Sequence, residues 1–213
     1  MMRKRLLCAI LALVLLISAQ PAMASSNKRS TIFELTTRMP VIRVTVPAYG
    51  EVYINPLGLT VYVGEGYSSA EIITVDSSLA NWSDVQLQMD VTVTSSVKPD
   101  SSMSLASSPT KGEGTDKRAF IYFEIVQVSD PYYAKWEKTY DPDKHIALVN
   151  GGAVSKTNVM ILPARDMDGS VAKGGYAAFR LTGDLVKRPT VPWNAIDGVN
   201  VTIAFTFTPI PYV

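Results

Sequence analysis

The sequence predicts an all-β protein, an antiparallel β-sandwich or jelly roll of roughly ten strands preceded by a cleaved signal peptide. Three observations carry this. From Pro40 onward, short runs rich in Val, Ile, Thr and Tyr are cut by turn residues at intervals too short for a helix. Two longer runs alternate apolar and polar residues with the period of a strand that has one dry and one wet face. The first 24 residues have the three-part organisation of an export leader.

In the leader, Arg3, Lys4 and Arg5 form a positive start, Leu6 to Ile17 a continuous apolar run, and Ala22-Met23-Ala24 a small-residue cleavage site, so cleavage is expected before Ser25. The apolar run is roughly 12 residues, short of the ~20 that cross a bilayer as a helix, and no permanent membrane anchor is expected. Cys8 stands near the start of that run rather than after it, so it is not placed as a lipoprotein cysteine. It is also the only cysteine, and a cleaved domain has no disulfide to draw on although it leaves the reducing cytosol. Stability must then come from core burial, which a chain with 47% hydrophobic residues can supply. Losing Arg3, Lys4 and Arg5 takes the 20 Lys plus Arg to 17 against 19 Asp plus Glu, a net charge of −2. That balance excludes a strongly basic nucleic-acid binder and leaves neutral partners such as glycans or other proteins.

Domain organisation follows as a signal peptide over 1–24, an N-terminal arm over 25–39 and one β-sandwich domain over 40–213. Residues 25–38 are polar and short of periodicity, as in an arm or an edge strand that needs a partner. Beyond them, strands are expected at Val41 to Val46, Glu51 to Ile54, Leu59 to Val63 and Glu71 to Val75. The clearest alternation comes next, with Val85, Leu87, Met89, Val91 and Val93 on one face and Gln86, Gln88, Asp90, Thr92 and Thr94 on the other. Ala119 to Val128 is apolar on both faces and reads as a central strand. Ile146 to Val149, Thr157 to Leu162, Gly175 to Thr182 and Val199 to Thr208 complete the series, the last with Val199, Val201, Ile203, Phe205 and Phe207 facing one way. Between the two long strands, residues 95–118 are rich in Ser, Pro, Gly, Lys and Asp and read as a long flexible surface loop with little to bury.

Catalytic vocabulary is sparse, and no enzyme and no catalytic residue is expected. A cleaved chain has no thiolate nucleophile, and one histidine, His145, sits in the polar turn Asp141-Pro142-Asp143-Lys144-His145 without a Gly-x-Ser-x-Gly elbow anywhere. Most acids stand in turns; Glu124, inside a strand, reads as a rim-facing charge. No cofactor is expected, with one possible exception. Asp166 and Asp168, in Asp166-Met167-Asp168-Gly169-Ser170, place oxygen ligands at alternate positions as a calcium loop begins, but lack the glycine and glutamate that complete an EF-hand; an Asp-Gly turn is the alternative. The candidate ligand-binding residues are Tyr132, Tyr133, Trp136 and Tyr140, the densest aromatic cluster, on a segment bounded by two Asp-Pro pairs that reads as one or two helical turns. Sugar rings stack on such faces, although core or lid packing competes as an explanation. Asn81-Trp82-Ser83 and Asn200-Val201-Thr202 fit the N-glycosylation pattern, a short one that arises by chance.

Several phrases occur together: Ile54-Asn55-Pro56-Leu57-Gly58-Leu59, Asn81-Trp82-Ser83-Asp84-Val85 opening a strand, Phe179-Arg180-Leu181-Thr182-Gly183, and Pro192-Trp193-Asn194-Ala195-Ile196-Asp197-Gly198-Val199 before the last strand. In these the chain resembles exported β-sandwich proteins of Gram-positive, clostridia-like bacteria and, more loosely, the TasA and camelysin-type matrix proteins. The resemblance implies a jelly-roll subunit of extracellular fibres and brings no catalytic residues. The expected function is therefore a secreted or cell-surface structural or interaction protein, a matrix or fibre subunit assembling by strand addition. Its expected partners are other copies of itself or surface proteins. A carbohydrate-binding or adhesion module is the alternative, and a secreted glycan hydrolase a third reading.

Overall fold

A computed structural model describes residues 42–47, 52–57, 59–63, 66–74, 76–110, 114–130, 132, 134–137, 139–187, 189–194 and 196–211. The chain divides into two units, 1–39 and 40–213, and all described residues belong to the second. The expected signal peptide and N-terminal arm lie outside the described residues.

The described chain is all-β, with no α-helix and several antiparallel sheets, none of them closed. In chain order the strands are β1 (Val44–Thr45), β2 (Val52–Ile54), β3 (Val61–Val63), β4 (Gly66–Ser68), β5 (Ile72–Thr74), β6 (Ser77–Asn81) and β7 (Gln86–Val97). They continue with β8 (Ser104–Leu105), β9 (Arg118–Val128), β10 (Ile146–Ala147), β11 (Gly152–Leu162), β12 (Tyr176–Leu185) and β13 (Val199–Ile210). The larger sheet has the order β1-β6-β12-β9-β10, with β8 added parallel to β9; the smaller has the order β11-β7-β13. β2 and β5 form one two-stranded ribbon, β3 and β4 another.

The period-two pattern explains the core directly. Val85, Leu87, Met89, Val91 and Val93 are all buried, while Gln86 and Thr94 on the opposite face are exposed. Met89, Val91 and Val93 of the smaller sheet share one hydrophobic cluster with Ile121 and Phe123 of β9 and Phe179 and Leu181 of β12. Phe205 of β13 joins it, its ring centroid 5.2 Å from Phe179 and 6.4 Å from Phe123. Each such side chain contributes about 1.5–3 kcal/mol by leaving water, and without a disulfide this shared burial is what joins the sheets.

Two asparagines fasten the loops around it. Asn55 donates from Nδ2 to the carbonyls of Leu59 (2.8 Å) and Ala70 (3.0 Å) and accepts from the Leu59 amide, which folds the Ile-Asn-Pro turn back on itself. Asn81, fully buried, donates from Nδ2 to Pro163 O (2.8 Å) and accepts the Ser83 amide at Oδ1 (2.9 Å), tying the end of β6 to the exit of β11. A side chain so engaged is no glycan acceptor in the folded protein, whatever its Asn-x-Ser context.

The strands differ from the sequence expectation at several places, and Gly66–Ser68, not among the expected strands, pairs with β3. β6 carries Ser77-Ser78-Leu79-Ala80-Asn81, with no β-branched residue; pairing between β1 and β12 makes it a strand. β11 begins at Gly152, before the expected start, and continues across a register shift between Lys156 and Met160, where Asn158 has φ 55° and donates its amide to Asp90 Oδ1 (2.8 Å). Within 95–118, Ser95 to Val97 extend β7, Ser104–Leu105 pair with β9, and Met103 and Lys117 are buried. Lys117 is buried because Asp197 is: Nζ donates to Oδ2 at 2.8 Å, and Oδ1 accepts from Ser101 Oγ (3.1 Å). Composition alone did not show that this connection has a charged partner waiting in the turn before β13.

Candidate functional site

Three hollows adjoin the larger sheet, two on the face toward β13 and one on the other. On the inner face the sheets part along β13. This strand pairs with β7 along its whole length and has no partner on its other edge among the described residues. Its inward row, Val199, Val201, Ile203, Phe205 and Phe207, is only half-buried, unlike the fully buried row of β7 beside it. The resulting groove, of about 640 Å³, is floored by Phe179 and Leu181, walled by Val201, Ile203 and Phe205, and flanked by Val52 of β2. A second hollow of about 450 Å³ shares Val52, Leu181, Val199 and Val201 with it and extends to Ile54 and Trp193. The groove thus has an apolar stretch on its walls, with Lys98, Arg180 and Thr202 also in the lining, and, along one side, a row of backbone groups on a strand edge. Such an edge accepts another strand.

On the outer face, Phe120, Tyr122 and Glu124 of β9 stand beside Asp184, Thr182 and Arg180 of β12, in register with them. The strap from Asp130 to His145 crosses this face. Glu124 is fully buried, and both of its oxygens are spent: Oε1 accepts the Glu137 amide (2.7 Å), and Oε2 accepts from Arg180 Nε (3.1 Å) and Nη2 (3.0 Å). The Arg180 guanidinium lies over Trp136, 4.4 Å from the ring centroid, and Trp136 Nε1 donates to Asp76 Oδ2 at 2.8 Å. His145, also buried, accepts the Asp141 amide at Nδ1 (2.9 Å), which leaves the proton on Nε2, 3.8 Å from Glu124 Oε1. Burial pushes the His145 pKa down, against the opposing pull of Glu124. Burial, reinforced by Glu124, pushes the Tyr122 phenol up.

Tyr140 packs edge-on against Phe120 (4.8 Å between centroids) and Tyr122 (5.1 Å), and Tyr122 stacks on His145 (4.9 Å). Between strap and sheet lies a cavity of about 560 Å³. The aromatic candidates therefore separate. Trp136 and Tyr140 line this cavity, Tyr132 is 84% exposed with its amide donated to Asp130 Oδ1, and Tyr133 lies outside the described residues. Among the described residues the strap is not helical apart from a short turn at Tyr132.

Glu124 is not the rim charge that the sequence suggested, and His145 closes the polar turn as a hydrogen-bonded, buried side chain. The cation that partners Glu124, Arg180, is distant in sequence. The signal available was an acidic residue in the middle of a strand apolar on both faces, which must find a cation or remain neutral. The Asp166–Ser170 segment forms a tight turn, with Gly169 donating to Asp166 O and the Ser170 hydroxyl (2.6 Å) and amide (2.9 Å) both on Asp168 Oδ1. These bonds hold the Asp168 carboxyl below its ordinary range. Among the described residues no group of three or more His, Cys, Asp or Glu is placed to hold a metal ion, and no helix is long and apolar enough to cross a membrane.

The fold defines a class, an all-β protein of open antiparallel sheets. No protein-family model matches the chain, and it matches no curated protein or solved structure.

Proposed function

We propose that the protein is an exported structural subunit whose two sheets form an open β-sandwich, completed by a strand from a second copy. The observation that carries this reading is the groove along β13, where a 12-residue strand edge has no partner among the described residues beside a half-buried apolar row. Adding a strand there would satisfy backbone groups along the edge and bury that row, the two sources of affinity in strand addition. Val44–Thr45 already pairs with β6, so the donor is the sequence before it. In Thr31-Ile32-Phe33-Glu34-Leu35-Thr36-Thr37, Phe33 and Leu35 fall on one face at period two, the pattern an apolar groove takes. The leader sequence supports assembly outside the cell, as does the resemblance to matrix proteins. On this reading the protein binds and assembles, and catalyses nothing.

The test is light scattering and electron microscopy on the chain from Ser25 onward. Concentration-dependent oligomers or filaments are expected, with monomers after deletion of 25–39 or after Val201→Lys, which puts a charge in the groove. A chain that stays monomeric at its solubility limit overturns the reading.

A further inference from the structure

The cavity on the outer face has no part in strand addition, and its chemistry is different. We propose that it binds a neutral pyranose, as one sugar unit of a glycan. At about 560 Å³ it is within the usual range for a small-ligand site and holds a single sugar ring with its substituents.

Tyr122, Trp136 and Tyr140 supply its aromatic surface, and they are already fixed. Tyr140 is held by Phe120 and Tyr122, and Trp136 is held at its nitrogen by Asp76 and on one face by Arg180. Side chains with so little freedom lose little on binding, and rings in such positions offer apolar surface to the C–H face of a sugar. The polar groups suit hydroxyls. Glu124 fixes two N–H groups of Arg180, yet the side chain keeps 24% exposure, so the rest of its fork of donors stands at the cavity in one orientation. Thr139, Thr182 and Asp184 add acceptors around it.

Charge decides the class. Glu124 balances Arg180 and Lys144 balances Glu137 through a 2.6 Å ion pair, so the lining does not favour an anion. A quaternary ammonium would be repelled by the Arg180 guanidinium, which stands in the same lining beside Trp136. What remains is an uncharged ligand with several hydroxyls and an apolar face.

The experiment is an NMR titration of the full chain, following the indole N–H signals of Trp82, Trp136 and Trp193. The ligands are glucose, galactose, mannose and N-acetylglucosamine, with glucuronate and choline as charged probes. Trp136→Phe assigns the signal. At least one neutral sugar is expected to shift the Trp136 signal saturably and leave Trp82 and Trp193 in place. Thr182→Val, an exchange of similar shape on the rim, should weaken that binding about tenfold with an unchanged melting temperature. The proposal is overturned if none of the four sugars shifts Trp136, if only glucuronate or choline does, or if Thr182→Val binds as the parent does.

Discussion

Glu124 concentrates the outer-face chemistry in one side chain. A fully buried carboxylate costs several kcal/mol of lost hydration, and here that cost is offset by the Arg180 fork and by the strap amide at Glu137. Glu124→Gln keeps the shape but removes the charge, leaving Arg180 without its counter-ion; the expected loss is about 2–4 kcal/mol in urea unfolding. An unchanged urea midpoint would mean that solvent already screens Arg180. His145 gives a pH signature from the same cluster. Its folded pKa lies below the 6.5 of the free side chain, so the unfolded chain binds the extra proton first. Its contribution to stability is complete above 6.5 and is lost as the pH falls through the lowered value. Melting temperature should therefore decline on acidification from neutral pH, and His145→Gln should flatten that part of the profile. An equal decline in the variant would assign the titration to another group.

At the scale of elements, β9 and β12 depend on how closely their backbones approach. Gly183 lies in β12 opposite Ile121, with φ 153°, and a Cβ there would overlap the carbonyl oxygen of Phe120. Gly183→Ala should cost about 3 kcal/mol and shift the outer-face residues Thr182 and Asp184, read as a drop in melting temperature. A stability equal to the parent's would show that the strand pair opens at no cost. The same pair shows what could be read in advance. The alternation of β7 and β13 was legible because each has one buried face, and β9 was legible as a central strand because both of its faces are apolar. β6 was not, since its strand character comes from neighbours that pair with it rather than from its residues. At the site, Trp136 and Tyr140 were visible as aromatics. Arg180, Tyr122 and Thr182 were not, because only the register of β9 against β12 puts them under the strap.

For the whole molecule, the incomplete burial of β13 is the feature that connects stability to assembly. The core joins both sheets through Met89, Val91, Phe123 and Phe179, yet Val201, Ile203 and Phe205 remain half-buried at its open side. Anything that fills this groove in the folded state alone must stabilise the fold by mass action. A synthetic peptide of the sequence Lys28 to Val41 is therefore expected to raise the melting temperature of the protein lacking 25–39. At a hundredfold excess over its dissociation constant the gain is about 2.7 kcal/mol, or roughly 5–10 °C for a domain of this size. A peptide of the same composition in scrambled order should do nothing, because its apolar residues no longer alternate to meet the groove. Val201→Lys should abolish the rise, measured against that variant's own unliganded melt. If the native and scrambled peptides act alike, the groove does not read strand pattern, and a donor strand from a second copy is not what completes the fold.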